Sequence, residues 1–326
     1  MRRFMRTLLW AGLLVAAVIR VNASDEVVCA TFASKTISNT EAFWRSDKRV
    51  PNLVPLPLES PSPAELGLEP RRSFWGHIQN FGSFIKKHFT VTIPTSHPED
   101  AATNDAPFKT AGRLFFIDSQ GTQRWCTAEF VDDDATLLTA AHCVWDRAST
   151  DFYRSIYFGR VYNNGFVENF SIASVGVLTE WIQTGAPHQY DFAFLSTTLP
   201  TTQGHLVSSA TLPTDWIAIG YPRKFTVNGT TEYPNGEIMK RASGVAGVAS
   251  QNMFLMLGNP MGRGTSGGAW SPPGQSPFGN EVFSIASMLG SSPDSIYGPM
   301  LYGSLLEKRT LQLAAFVKNG CKDSSQ

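Results

Sequence analysis

Short apolar runs separated by turn residues mark the chain from Pro107 onward. Glycine, asparagine and aspartate punctuate these runs, as is typical of strands joined by turns. The runs occupy residues 113–117, 135–138, 155–158, 175–178, 192–195, 216–219, 237–239, 254–257 and 282–286. Many short strands with no helix between them favour barrels or a sandwich over βαβ units. The pattern therefore predicts an all-β domain over residues 107–321.

The C-terminus breaks this pattern and predicts a helix over residues 304–319. Ser304 and Glu307 have the spacing of a capping box, and Gly320 is placed to end the helix. An apolar stripe follows the helical period at Leu306, Leu313 and Val317. We therefore expect a C-terminal helix attached to the β domain.

The first 23 residues have the parts of a secretory signal peptide. Residues 1–6 are basic, residues 8–19 are apolar, and residues 21–23 offer small side chains to a signal peptidase. The apolar run is too short to span a bilayer, which needs ~20 residues. We therefore expect cleavage after Ala23, secretion to the extracellular space, and no membrane association of the mature chain.

Residues 24–106 differ in amino-acid composition from the β domain. Prolines interrupt this segment, and proline removes backbone donors and favours extended chain. They stand at positions 51, 55, 57, 61, 63 and 70. Aromatic residues such as Phe74, Trp75 and Phe89 make the segment too apolar for a free linker. We expect a proline-rich N-terminal extension or propeptide that packs on the β domain as a clamp or masks it as an inhibitor.

Length and charge set the outer limits on function. The 326 residues are 42% hydrophobic and 12% aromatic, which is ample for a core. The 27 basic residues are balanced by 27 acidic ones, so no excess charge indicates a nucleic-acid partner. Asn169 and Asn228 begin Asn-x-Ser/Thr patterns, which predict glycosylation only in a eukaryotic source.

Four cysteines follow the expected cleavage site, and export makes disulfides the default fate of an even number. Three pairings are possible. Cys126 and Cys143 bracket two apolar runs separated by the acidic turn 132–134, so a bridge between them closes a hairpin. Cys29 and Cys321 then pair by exclusion. A zinc site is disfavoured because the sequence has no CxxC and no histidine pair at helical spacing, and neither a metal nor a cofactor is expected.

Three separate stretches carry the residues of a nucleophilic hydrolysis site. His142 ends an apolar run among small neighbours, which leaves its imidazole at the lip of a cleft, where it can act as a general base. Asp191 precedes the run 192–195 and can orient that imidazole. Ser266 lies in a glycine-rich stretch and can act as the nucleophile. Each residue alone has an ordinary structural interpretation; their joint occurrence in this order favours a catalytic one.

Residues 264–268, Gly-Thr-Ser-Gly-Gly, also fit the G-x-S-x-G elbow of α/β-hydrolases. In that fold the histidine follows the serine, yet the last histidine of this chain is His205, so the order excludes the elbow. Without Cβ atoms, the backbone around Ser266 can turn its amides toward a substrate carbonyl. We expect the N–H groups of Gly264 and Ser266 to form an oxyanion hole.

The chain resembles the chymotrypsin-like serine peptidases over about residues 107–321. The motifs that carry the resemblance are Thr-Ala-Ala-His-Cys at 139–143, Asp-Phe-Ala-Phe-Leu at 191–195, Gly-Thr-Ser-Gly-Gly at 264–268 and Ser-Ile-Ala-Ser at 284–287. Gly220-Tyr221-Pro222, together with the spacing from Met261 to Trp270, is similar to the secreted V8-like, glutamyl-endopeptidase-like branch.

This resemblance implies two six-stranded antiparallel β-barrels, the first at about residues 107–205 and the second at about 206–303. His142 and Asp191 would belong to the first barrel and Ser266 to the second, with the triad in the cleft between them. Thr265 stands where trypsin-type enzymes carry the aspartate of their zymogen switch. Ala286 stands where glutamate-specific relatives place a histidine.

The resemblance also locates the pocket for the substrate side chain that precedes the scissile bond. Its predicted residues are Pro260, Met261, Ser287, Met288 and Leu289. None of them is charged, and a charged side chain buried there without a partner would cost several kcal/mol. Cleavage is therefore expected after small or medium apolar residues.

Together these observations predict a secreted serine endopeptidase that acts on proteins or peptides through an acyl-enzyme. His142 is the predicted base, Asp191 its orienting partner and Ser266 the nucleophile. Two alternatives stay open: a catalytically inactive protease-fold binding protein, and an esterase or amidase that uses the same triad.

Overall fold

A computed structural model describes the parts of the chain that build and support the β domain. The described residues are 18–21, 26–46, 53–56, 94–165, 168–183, 188–209, 215–248, 253–272, 280–290, 299–306 and 308–322. The cleavage position of the predicted signal peptide and residues 57–93 of the extension lie outside them. Within these ranges, no helix is long and apolar enough to cross a bilayer.

Five short elements precede the β domain. They are β1 (Val18–Val21), β2 (Val27–Thr31), α1 (Ser34–Ser46), β3 (Val54–Pro55) and β4 (Glu99–Asp100). Helix α1 was not predicted from the sequence pattern. Of its described side chains only Thr40 and Trp44 are buried, too few to show a helical period in the sequence.

The first barrel uses most of the next eight strands. These are β5 (Ala111–Ile117), β6 (Gln123–Phe130), β7 (Thr136–Thr139), β8 (Trp145–Asp146), β9 (Asp151–Phe152), β10 (Arg154–Arg160), β11 (Glu168–Leu178) and β12 (Ala193–Thr197). Six of them form a closed ring in the order β10, β5, β6, β7, β12 and β11. The long strand β11 closes it by pairing first with β10 and then with β12. A one-turn helix, α2 (Thr179–Ile182), follows β11.

The second barrel repeats this arrangement. Its strands and their neighbours are β13 (Val207–Ser208), β14 (Asp215–Gly220), β15 (Phe225–Val227), β16 (Thr230–Glu232), β17 (Lys240–Val248), β18 (Met253–Leu257), β19 (Ala269–Ser271), β20 (Glu281–Val282), β21 (Ser284–Gly290) and β22 (Met300–Leu305). Six strands close in the order β14, β19, β21, β22, β18 and β17. The predicted all-β class with two six-stranded antiparallel barrels is thereby confirmed.

Aromatic side chains fill both barrels, because alternate residues of each strand point inward. In the first barrel Phe130 meets Phe158 and Phe170 edge to face. In the second, Trp216 packs against Phe283 and Trp270. The loops at the junction of the two barrels are thus held on two rigid cores.

The described parts of the N-terminal extension contact both barrels. Strand β2 pairs antiparallel with β11 beside the first barrel. Trp44 of α1 is fully buried, and its indole Nε1–H donates to the Ser155 carbonyl at 2.7 Å. Strand β4 pairs with β17 of the second barrel. The division at residue 106 therefore marks a change in sequence composition, and the described residues on its two sides pack together.

The C-terminal prediction is partly wrong. Strand β22 occupies Met300–Leu305, so residues 304 and 305 are strand, and helix α3 spans Lys308–Lys318. Ser304 is buried in that strand and does not cap the helix, because pairing with β18 and β21 satisfies its backbone. The expected end of the helix is confirmed, since Gly320 has φ +63° and its N–H bonds the Val317 carbonyl.

Both predicted disulfides are present. Cys126–Cys143 joins β6 to the turn after β7. Cys29–Cys321 joins β2 to the residue that follows the end of α3. The second bridge links the extension covalently to the far end of the chain.

Candidate active site

The three predicted catalytic residues come from short segments at the ends of barrel strands. His142 lies in a 3₁₀ turn, Ala141–Cys143, directly after β7. Asp191 lies between the 3₁₀ turn His188–Tyr190 and β12. Ser266 lies in the loop between β18 and β19. The first two therefore belong to the first barrel and the third to the second.

His142 and Asp191 form a two-point contact. The imidazole Nδ1 lies 2.7 Å from Asp191 Oδ2, and the His142 backbone N–H donates to Oδ1 at 2.9 Å. Because a carboxylate accepts at Nδ1, that nitrogen carries the proton and Nε2 keeps its lone pair. This is the tautomer that a general base requires.

Asp191 is completely buried but stays ionised. Burial alone would raise the pKa of its carboxyl. The charge and hydrogen bond of His142, the charge of His188 and the hydrogen bond from Ser287 outweigh burial, so the pKa of Asp191 is held below its usual value.

Ser287 has a different position from the one that the sequence predicted. Counting along β21 assigned it to the wall of the specificity pocket, yet its hydroxyl donates to Asp191 Oδ2 at 2.5 Å. The pairing of β21 with β22 shifts register between Ala286 and Met288, and a bulge of this kind redirects the intervening side chain. Ser287 therefore connects the second barrel to the carboxylate of the first.

The predicted nucleophile and the predicted base each present a buried reactive atom. Ser266 Oγ and His142 Nε2 are buried atoms, and neither has a hydrogen-bond partner within the described residues. Serine–imidazole bonds are often long in a free enzyme and tighten when substrate binds. No group of the described chain therefore competes for the hydroxyl or for the imidazole nitrogen.

The loop around Ser266 carries two backbone donors that are also uncommitted. Within the described chain, the N–H groups of Gly264 and Ser266 donate to no backbone or side-chain acceptor. Gly264 has φ +99°, and a Cβ there would clash with the Tyr221 carbonyl and lie 2.6 Å from Trp125 Nε1. Only glycine fits, so the residue type and the backbone conformation match the predicted oxyanion hole.

The predicted pocket residues are more deeply packed than expected. Met261 is fully buried in the core of the second barrel with Trp216, Met256 and Trp270, so it supports the region without lining an open pocket. Pro260 and Met288 are also buried. The side chain of Leu289 lies outside the described residues.

One cluster has the residue types of a metal site. Cys126, His142 and Cys143 have ligand atoms within 4.8 Å of one another. The two sulfurs form a disulfide, so neither can act as a thiolate ligand. This cluster therefore does not fit a metal ion.

Sequence reasoning missed several supporting residues. Thr127, Glu129 and Ser304 are buried, and each bonds a segment next to the triad. Their partners are backbone groups of the other barrel, which no local motif reveals. Ser287 lies in a stretch that the sequence did single out, but the bulge hid its role.

Comparison with known proteins agrees with the fold. The trypsin family model matches residues 109–298, more than half of the chain. The chain therefore belongs to the trypsin family of serine peptidases. No curated protein sequence matches it at a significant level.

Solved structures share the fold at low sequence identity. The thermostable serine protease AL20 from an extremophilic microorganism has a TM-score of 0.52 and 20% identity, over 66% of this chain and 99% of that one. Protease Anisep from Arthrobacter nicotinovorans has a TM-score of 0.51 and 22% identity, over 67% and 97%. A Glu endopeptidase in complex with MPD has a TM-score of 0.52 and 20% identity, over 70% and 100%.

Proposed function

We propose that this member of the trypsin family is a secreted serine endopeptidase. The observation that carries the proposal is the His142–Asp191 contact, together with His142 Nε2 and the Ser266 hydroxyl, which have no hydrogen-bond partner among the described residues. Secretion rests on the signal-like first 23 residues and on the two disulfides, which persist in oxidising compartments.

The reaction proceeds through an acyl-enzyme. Ser266 Oγ attacks the scissile carbonyl carbon while its proton passes to His142 Nε2, and Asp191 stabilises the resulting imidazolium. The N–H groups of Gly264 and Ser266 bind the oxyanion of the tetrahedral intermediate. The C–N bond then breaks as His142 gives its proton to the leaving amine. Water, activated by the same imidazole, hydrolyses the ester and restores the Ser266 hydroxyl.

The proposed substrates have small or medium apolar side chains before the scissile bond. The described residues of the predicted pocket, such as Pro260 and Met288, offer no charge to pair with lysine, arginine or glutamate. An unpaired charge buried there would lose its hydration at a cost of several kcal/mol. A peptide library incubated with the purified protein tests this, and dominant cleavage after a charged residue would refute the preference.

The nucleophile is tested with a fluorophosphonate probe. Ser266→Ala should abolish labelling and lower turnover by ~10⁶, as loss of a triad serine does in other peptidases. Ser271→Ala is the matched control, because Ser271 is also buried in this barrel and its hydroxyl bonds to nothing within the described residues. Full peptidase activity in Ser266→Ala would sink the assignment.

A further inference from the structure

Thr127 connects the first barrel to the loop that carries the oxyanion donors. It is fully buried on β6, next to the Cys126 bridge. Its hydroxyl donates to the Gly264 carbonyl at 2.9 Å and accepts the Tyr221 N–H at 3.1 Å. Its backbone N–H donates to the Ser266 carbonyl at 2.8 Å. One residue of the first barrel therefore binds two carbonyls of the nucleophile loop.

The hydrogen bond that the Thr127 hydroxyl accepts determines where the hydroxyl donates its proton. Because the Tyr221 N–H uses a lone pair of Thr127 Oγ1, the hydroxyl proton is left to donate to Gly264. Gly220, just before Tyr221, also packs closely, since a Cβ there would lie 2.8 Å from Thr265 Cβ. The hydroxyl is thus held on both sides by rigid backbone.

Three successive peptide units determine where the oxyanion donors point. Each unit is planar, so an anchored carbonyl fixes the N–H on its opposite side. The unit with the Gly264 N–H is anchored by the bond from the Arg223 N–H to the Arg263 carbonyl, 2.8 Å. The unit with the Ser266 N–H is anchored by the bond from the Gly268 N–H to the Thr265 carbonyl, 2.9 Å.

The middle unit joins these two, and Thr127 anchors it. Its N–H, from Thr265, bonds the Gly262 carbonyl at 3.1 Å, while its carbonyl, from Gly264, receives the Thr127 hydroxyl. Of the three carbonyl anchors, this is the one supplied by a side chain. When this anchor is lost, the hydrogen bond from the Thr265 N–H to the Gly262 carbonyl is the one that still holds the middle unit among the described residues, and Gly264 has no Cβ to restrict its backbone.

We propose that the Thr127 hydroxyl is a positioning residue for the oxyanion hole. It keeps the Gly264–Thr265 peptide in the orientation that points the neighbouring Gly264 and Ser266 N–H groups at a common position. The proposal rests on the proposed function, because an oxyanion forms only if Ser266 attacks a carbonyl. Thr127 itself does not touch the reacting atoms.

The test compares variants that differ by the hydroxyl. Thr127→Val keeps the shape and the backbone N–H but removes the anchor, whereas Thr127→Ser keeps the anchor. Thr110→Val is the matched control, since Thr110 is equally buried and its hydroxyl bonds the Pro107 carbonyl away from the site. If Thr127→Val does not fold, Thr127→Ser against Thr127→Ala gives the same comparison, because that pair differs by one oxygen atom.

The readouts are kcat, KM, and the affinity of a peptide aldehyde, which forms a tetrahedral adduct with the serine. For Thr127→Val we expect kcat and aldehyde affinity to fall together by roughly 10- to 100-fold, with KM within about twofold of the wild-type value. The reason is that misplaced donors weaken binding of the transition state but leave binding of the substrate unchanged. Thr127→Ser should restore both values. A purely structural role would lower the melting temperature and leave kcat and aldehyde affinity unchanged.

The outcomes distinguish failure of the proposed function from failure of the proposed role of Thr127. Wild-type protein that neither reacts with a fluorophosphonate nor cleaves peptides would overturn the proposed function and this role with it. Active wild-type protein, together with a folded Thr127→Val variant of unchanged kcat and aldehyde affinity, would overturn the role of Thr127 alone.

Discussion

Glu129 is a carboxyl group buried between the two barrels that takes no part in the proposed reaction. It is fully inaccessible, Oε2 accepts the Ala269 N–H at 3.2 Å, and Oε1 has no partner within the described residues. Burial raises the pKa of Glu129 well above its ordinary value, and the Ala269 hydrogen bond lowers it only in part. The folded protein therefore holds the Glu129 proton to a higher pH than the unfolded chain does.

This protonation state predicts a pH-dependent stability. The folded state keeps the Glu129 proton while the unfolded state loses it above pH ~4.3, so the unfolding free energy falls as pH rises toward the folded pKa. Glu129→Gln should remove this contribution. Between pH ~4.3 and the folded pKa, the unfolding free energy of the variant relative to wild type should therefore increase by up to about 1.4 kcal/mol per pH unit. Denaturant unfolding of both proteins from pH 5 to pH 8 measures the difference. Parallel curves would show that Glu129 is ionised in the folded state.

At the scale of single residues, the sequence was most informative where chemistry imposes a local signature. His142 and Ser266 each sit in a distinctive stretch, and glycine at 264 is required by a backbone that no side chain tolerates. Thr127 carries no such signature, and Ser287 lies in a recognisable motif but has a different role from the predicted one. Their roles depend on a bulge and on a carbonyl of the opposite barrel, both of which are properties of the assembled structure.

At the scale of elements, strands were predicted better than helices. The run at 216–219 lies within β14 and that at 254–257 within β18, because a short continuous apolar run bounded by turn residues is typical of a buried strand. The run at 237–239 falls before β17, which begins at Lys240. At Ser304 long-range strand pairing overrides the local capping motif, and sequence periodicity does not predict such pairing.

The bridge between Cys29 and Cys321 supports a prediction about these terminal elements. It joins β2 to the end of α3 across 292 positions, so it removes much freedom from the unfolded chain. Replacing both cysteines by serine should cost ~2–5 kcal/mol of stability without touching the triad. Thermal unfolding under oxidising conditions measures the loss. As a control, reductant should shift the wild-type transition toward that of the variant; equal melting temperatures for the two oxidised proteins would argue against a stabilising bridge.

At the scale of the whole molecule, the family resemblance predicted the double barrel, but the sequence did not predict the place of the extension. The sequence of the extension follows no repeating pattern, and the contacts of its described part come from separate short segments. In addition to Trp44 and strand β4, Ser96 donates its N–H to the Gly258 carbonyl of the second barrel at 2.8 Å. We therefore propose that the described part of the extension acts as a clamp, because each of these contacts joins it to a strand or loop of a barrel.

A deletion separates the two roles. A chain that begins at residue 107 would lose β2 from the edge of β11, leave Cys321 unpaired and uncover the site of Trp44. We expect it to be poorly folded and inactive, whereas a chain that begins at residue 26 should keep full activity. Trp44→Ala removes the same contact by a single substitution. It should lower the free energy of unfolding by ~3–5 kcal/mol, the usual effect of emptying a buried aromatic site. Active-site titration with the fluorophosphonate and thermal unfolding are the measurements. Higher activity in the chain that begins at residue 107 would mean that the extension is an inhibitory propeptide.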